Sequence, residues 1–330
     1  GASGTCLIAD DALQYDRASQ GLLRALPQLL GRRLTKLVVS ADGGFFPNRS
    51  DRARLRPGEI DLAGITRLVD QEGIAGDTAA LAQAINEASG GNALGVTQAI
   101  VAVREGAEGP APLSDPLSWR IAQLPEEAAK LLQTVSALGD DAQAELLADL
   151  ADGELDQASA ELLVKRGLLT LGPNQALSPA HSALAATVLQ CMPRPQRSAV
   201  HARILQVMQR RGGSVFVLAH HAFEAELESL AEDTLDLLVA AGDQACRWAD
   251  VETAALTHYR RAVQTARWRL LMSEEDERYL ELSLRLGRTL AAAGHRRAAE
   301  VVFKEVTGAA GRQPRLAERA RAALSDLPPK

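Results

Sequence analysis

The sequence predicts a mostly α protein: a partial α/β region, then a helical unit closed by a small hairpin, then a stack of helical hairpins. Three observations carry this. Apolar residues make up 46% of the chain but aromatics only 3%, so Ala, Leu and Val supply the bulk. That is the composition of packed helices rather than of an aromatic-rich β-sandwich. Runs with strand character are short, and from Ile60 onward the helical period dominates. At 330 residues the chain is long enough for two or three domains, burying roughly three quarters of its unfolded surface.

Taken in order, Thr5–Ala9 is a short apolar run ending on Asp10 and Asp11. Leu22, Leu23, Leu26, Leu29 and Leu30 then recur at helical spacing, with Gly31 as the stop. Leu34 to Ala41 is a second β-branched run. Strand, helix and strand over about forty residues read as one βαβ unit with a parallel pair. Gly43 to Pro57 reads as an exposed loop carrying Arg49, Arg52, Arg54 and Arg56, with Arg67 just beyond. Asp77 suits the N-cap of a helix through Ala88, Gly90-Gly91-Asn92 breaks it, and another helix follows to Arg104. Glu105 to Pro116, rich in Gly and Pro, is the expected linker.

Helical patterns at 125–138, 142–150 and 155–166 precede two short strand candidates, Gly167–Leu171 and Gln175–Ser178, joined by Gly172-Pro173-Asn174. Helices, hairpin, then helix is a winged-helix order. No Lys/Arg-rich recognition helix is visible in it, so DNA contact is not expected here. Beyond residue 213 the chain is helices and short turns. Ala254 to Val263 has the small–large spacing of the second helix of a tetratricopeptide hairpin, and Leu286, Leu290, Ala293, Gly294 and Ala298 suggest another. The expected domains are residues 1–110, 111–212 and 213–330.

No charge-free apolar run reaches 18 residues, and the first residues lack the pattern of a secretory signal. Cys6, Cys191 and Cys246 are too far apart for a metal knuckle or a disulfide framework. The net charge of -6 disfavours indiscriminate nucleic-acid binding. A cytoplasmic location is expected, with no membrane partner.

Two positions are candidates for chemistry. An acid at the C-terminal end of a strand is how many nucleoside-triphosphatases hold Mg²⁺, usually through water, and a second acid beside it can polarise the attacking water. On that reading Asp10 is the Mg²⁺ acid and Asp11 the catalytic base; on the other, both simply end a strand and cap a helix. His181 follows the hairpin where a helix begins. Helix N-terminal amides and an imidazole together favour an anion, and a histidine there also serves as a cap or packs between domains. His220-His221 has no acid or cysteine partner at ligand spacing, so a polar helix surface is expected instead of a metal site. His201 with Arg197, one helical turn apart, reads as structural. Cys191, Cys246, Trp248 and Trp268 are expected in the core.

A larger match surrounds these residues. Cys6-Leu7-Ile8-Ala9-Asp10-Asp11, then Asp16-Arg17-Ala18-Ser19, a Leu-rich helix and an apolar strand resemble the Walker B to sensor 1 segment of STAND signal-transduction ATPases. Gly90-Gly91-Asn92-Ala93-Leu94 resembles that family's GGNPL element, which starts a lid helix. Ser136–Asp140, Leu162–Leu169, His181 through Met192-Pro193 with Arg197 and His201, Leu218–His221 and Leu316–Leu324 resemble the large ATP-binding regulators of the LuxR family. The resemblance spans about residues 4 to 326, and the order of these elements is its specific feature.

The resemblance implies ATP or ADP with Mg²⁺ as cofactors, Asp10 and His181 as cofactor-binding residues, and His181 on the β-phosphate of ADP. It implies a protein or small-molecule effector on the repeats, a possible homo-oligomer, and DNA contact only through a domain outside this sequence. The chain then reads as the sensor and transducer segment of a transcriptional regulator. No GxxxxGK[ST] loop occurs, so ATPase activity is expected only within a longer chain, of which this would be a central piece. Ser40-Ala41-Asp42 stands where the family often has an arginine, Ala93 replaces a proline, and the Phe-Arg expected before His181 is missing. These departures point to weak or lost hydrolysis. The alternative is a non-enzymatic helical-repeat scaffold with a vestigial nucleotide region.

Overall fold

The computed structural model describes residues 5–9, 17–30, 34–39, 58–139, 142–151, 156–172, 175–248, 254–311 and 313–327. The chain divides into two compact units, residues 54–207 and residues 208–330 together with 1–53. Asp10, Asp11 and the arginine-bearing loop through Pro57 lie outside the described residues.

β1 (Thr5–Ala9), α1 (Arg17–Leu30) and β2 (Leu34–Val39) form the expected βαβ unit. The strands are parallel, with Ala9 opposite Val39. Ala9 and Leu23 form a small core closed by Leu7, Leu26 and Val39.

The 54–207 unit begins with α2 (Leu62–Gln71), α3 (Thr78–Ser89) and α4 (Ala93–Arg104). Their boundaries follow from local capping. Asp77 accepts from the Ala79 and Ala80 amides, and Asn92 accepts from Gly95, which meets orphan N–H groups at each start. Gly90 and Gly91 both take positive φ. At Gly91 a side chain has no room, because an added Cβ would meet the Ile60 carbonyl at 2.7 Å. The element resembling GGNPL is therefore a structural joint between α3 and α4. Ile65, Val69, Ile85, Val96, Ile100 and Leu113 form the core beneath it.

The expected linker is folded. It carries α5 (Pro110–Ser114), whose Leu113 belongs to that core, and leads into α6 (Pro116–Ala122). Pro110 and Pro116 each open a helix, the position where proline costs nothing because the first N–H is unpaired anyway. α7 (Glu126–Leu138), α8 (Ala144–Leu150) and α9 (Gln157–Lys165) follow, then β3 (Leu169–Leu171), β4 (Leu177–Pro179), α10 (Ser182–Cys191) and α11 (Arg194–Arg210). β3 and β4 are antiparallel. Leu132, Val135, Leu163, Leu169, Leu177, Leu184 and Val188 are buried, so the hairpin shares a core with α7, α9 and α10.

The repeats are α12 (Val215–Ala225), α13 (Ala231–Arg247), α14 (Leu256–Trp268), α15 (Glu277–Ala292), α16 (Arg296–Ala309) and α17 (Pro314–Ser325), each packed on the next. α12 also touches α14, and α15 touches α17, the contact pattern of stacked hairpins. A glycine faces a buried ring at two of these helix contacts, α13 with α14 and α15 with α16. An added Cβ on Gly242 would lie 2.8 Å from Tyr259, and one on Gly287 would lie 2.5 Å from Phe303. Ion pairs tie one repeat to the next: Arg278 to Glu232 and Asp236, Arg285 to Asp243, and Arg319 to Glu281.

Two expectations of burial fail. Trp248 and Trp268 are 65% and 70% exposed, because they cap or end α13 and α14, where side chains leave the packed stripe. Trp248 retains contact with Phe216, centroids 5.2 Å apart. Cys6, Cys191 and Cys246 are exposed free thiols; Cys191 ends α10 and Cys246 stands near the end of α13.

The Phe303 ring is buried against Gly287, where an added Cβ would meet three of its carbons at 2.5, 2.9 and 3.2 Å. Gly287→Ala should therefore destabilise the repeats by about 1–3 kcal/mol, the usual range for overpacking. Urea unfolding will measure it, and adding Phe303→Leu to Gly287→Ala should recover part of the loss.

Candidate functional site

The structure describes one of the three sequence-predicted site residues. Asp10 and Asp11 immediately follow β1 but lie outside the described residues, so only the parallel strand that delivers them is seen.

His181 stands at the junction of β4 and α10 and is the N-cap of α10. Its backbone is extended and its Nδ1 accepts from the Leu184 amide at 3.0 Å. An accepting Nδ1 is unprotonated, so the neutral ring carries its proton on Nε2. The cap thus fixes the tautomer, and Nε2–H is the donor left for anything beyond the helix. Capping and anion recognition, the two uses open to this residue from sequence, engage different nitrogens and are compatible. Burial, and next the charge of Arg120, hold the imidazole below its ordinary value of 6.5.

Arg120 on α6 is the side chain that sequence reasoning missed. It is 1% exposed, the most buried charged residue among those described. Nε donates to Glu105 Oε2 at 3.0 Å and Nη2 to Glu105 Oε1 at 2.8 Å. Nη1 donates to Gln98 Oε1 at 2.6 Å, and Nη2 also to the Arg166 carbonyl at 2.6 Å. This is a forked ion pair with two further acceptors, which is what makes a buried guanidinium tolerable. The sequence signal was a lone arginine between Trp119 and Ile121 in an otherwise apolar turn, which by itself reads as a surface residue.

His201 on α11 is 2% exposed. In the repeat unit, His220 lies 3.3 Å from Arg261, which also pairs with Glu224 and sits 4.6 Å over the Phe223 ring. Burial and Arg261 lower the His220 pKa, opposed by Glu224. His221 is buried beside it, ring centroids 5.0 Å apart. Among the described residues, a groove of about 500 Å³ on the repeats is lined by Arg288 and Ala291 of α15, Phe303 of α16, and Arg319, Ala323 and Leu327.

These elements define a class: a mostly α chain of STAND-like fold, in which a short βαβ unit and a helical unit with a hairpin precede tetratricopeptide-like repeats. The comparison that establishes this is with the crystal structure of a STAND protein with a tetratricopeptide repeat sensor from Pyrococcus horikoshii. It superposes with a TM-score of 0.52 at 13% identity, over 97% of this chain and 52% of that one. The present chain spans about half the length of that protein. No protein-family profile and no curated protein matches the sequence. Among the described residues no helix is long and apolar enough to cross a membrane.

Removing the cap with His181→Ala should cost about 1 kcal/mol, and His181→Asn, which caps equally well, should cost little. Arg120→Met leaves Glu105 without its partner and should cost about 3–5 kcal/mol. Urea denaturation checks both. The lowered histidine pKa fixes the sign of the pH dependence. The unfolded chain takes up the proton first, so stability is present above the unfolded value near 6.5 and is lost as pH falls towards the lower folded value. Thermal melts between pH 7.5 and 5.5 should fall, and less steeply in His181→Asn.

Proposed function

We propose that the chain is the sensor and transducer segment of a STAND-type signal-transduction ATPase, of the kind found in the large LuxR-family transcriptional regulators. The observation that carries this reading is the likeness of fold to a STAND protein with a tetratricopeptide sensor over nearly the whole chain. The ordered motifs from Cys6-Leu7-Ile8-Ala9-Asp10-Asp11 to Leu316–Leu324 support its finer part.

In this reading His181 faces the β-phosphate of ADP. Its geometry fits an anion: Nε2–H is available as a neutral donor, and the first amides of α10 stand beside it at a helix N-terminus. A nucleotide diphosphate would supply the negative charge and the energy difference between states; the protein's part is to hold a donor in a fixed tautomer. Asp10 is assigned to Mg²⁺ through water and Asp11 to the attacking water. Hydrolysis needs a phosphate-gripping loop that this sequence does not contain, so the chain acts by binding and transmitting. The repeats take a protein or small-molecule effector, and the difference in its affinity for the two states sets how far the population moves. Action on transcription and a cytoplasmic location belong to the same reading.

The test is calorimetric titration with Mg-ADP and Mg-ATP. A neutral imidazole donating to a phosphate is a hydrogen bond to a charged group, so His181→Asn, which keeps the cap, should weaken ADP binding at least about tenfold. Absence of heat with either nucleotide would overturn the nucleotide role for this chain and leave the helical-repeat scaffold.

A further inference from the structure

We propose that Arg120 is the positioning residue of the His181 turn: its guanidinium latches the base of the β3–β4 hairpin to α4, so that the α2–α6 helices and the start of α10 open as one cooperative unit. The link is continuous and short. Gln98 lies in α4 and Glu105 is the C-cap of α4. Arg120 on α6 holds both with three of its hydrogen bonds. Its fourth goes to the carbonyl of Arg166, the C-cap residue of α9. The chain then turns through Gly167, at φ +64°, and the carbonyl of Leu168, two residues beyond Arg166, accepts from the Ala180 amide at 3.1 Å. Ala180 immediately precedes His181. Two hydrogen bonds and a tight turn therefore separate the buried guanidinium from the backbone that sets the cap.

The energetics favour coupling over incidental contact. The side chain is 1% exposed, so water cannot replace an acceptor that withdraws. If the hairpin base moved away alone, Nη2 would lose the Arg166 carbonyl inside a dry site. If α4 moved alone, a buried cation would lose its counter-charge. The first opening leaves a buried N–H unpaired and the second leaves a buried cation without its counter-charge, so the low-energy opening releases both sides together. Arg120 is also the charge that disfavours the imidazolium form of His181, which keeps the ring in the state that can cap.

Native-state hydrogen exchange on the whole chain, without nucleotide, tests this. In the wild type, Ile100 and Ala102 of α4 and Ala180 and Leu184 at the His181 turn should exchange with protection matched within about threefold and with the same urea dependence. Arg120→Lys keeps charge but loses the fork. Glu105→Gln keeps shape and the bonds to Gln98 and Arg166, and serves if the lysine variant does not fold. In either variant, protection at Ala180 and Leu184 should fall about tenfold further than at Ile100. The ring ¹⁵N shifts of His181 should change from a single Nε2–H tautomer to a mixture. Equal losses in both regions, or separate openings already in the wild type, would overturn the latch. The nucleotide role of His181 rests on the preceding reading. If Mg-ADP fails to bind, that reading falls while the exchange result still decides the latch.

Discussion

A guanidinium taken out of water is tolerable only if its N–H groups find acceptors and its charge finds a counter-charge, and three placements in the 54–207 unit answer that demand at Arg120. Glu105 must end α4 where it does, Gln98 must face inward at 8% exposure, and the turn after α9 must present the Arg166 carbonyl. A leucine at position 120 would leave more freedom, since apolar packing tolerates sliding and rotation. The forked pair does not, because its acceptors are fixed in direction as well as distance. The hairpin, and His181 at its end, inherit their position from this requirement.

The repeat unit solves a different problem with opposite means. Its cores mix Leu with Ala, and at Gly242 and Gly287 the missing side chain leaves space that the Tyr259 and Phe303 rings fill. Several polar side chains are buried in this unit as well, Thr234, Thr265, Thr289, Ser283, His221 and His258. Arg261 and Arg269 lie 4.6 and 5.1 Å from the Phe223 ring centre, so one aromatic meets two cations through its π-system, beside the Glu224 carboxylate that pairs with Arg261 and the Phe223 carbonyl that accepts from Arg269.

What was legible in the sequence was what is decided locally. Asp77 and Asn92 mark helix starts because a cap needs only the next three residues, and the hairpin announces itself through Leu168–Leu171 and the turn that follows. The linker was misread because Pro110 and Pro116 break structure behind them but start it ahead. Exposure of Trp248, Trp268, Cys191 and Cys246 runs against the expectation because position on a helix, rather than residue type, decides burial at its end. Arg120 was invisible for a third reason: its partners lie 15, 22 and 46 residues away, a separation no local pattern encodes. At the candidate site, the place of His181 at a helix start was readable, while the nitrogen it uses for the cap required coordinates.

The ion pairs between repeats have a geometric consequence. Arg278 meets Asp236 and Arg285 meets Asp243, both across 42 residues. Arginines seven apart on α15 thus face acids seven apart on α13, two helical turns in each case. The two helices are keyed like a pair of pins in a pair of sockets. Arg278 also holds Glu232, one turn before Asp236, so a slide of one turn towards the start of α13 keeps that pin seated, whereas Arg285 would leave Asp243 for Val239; of the two pairs, it is Arg285–Asp243 that fixes the register.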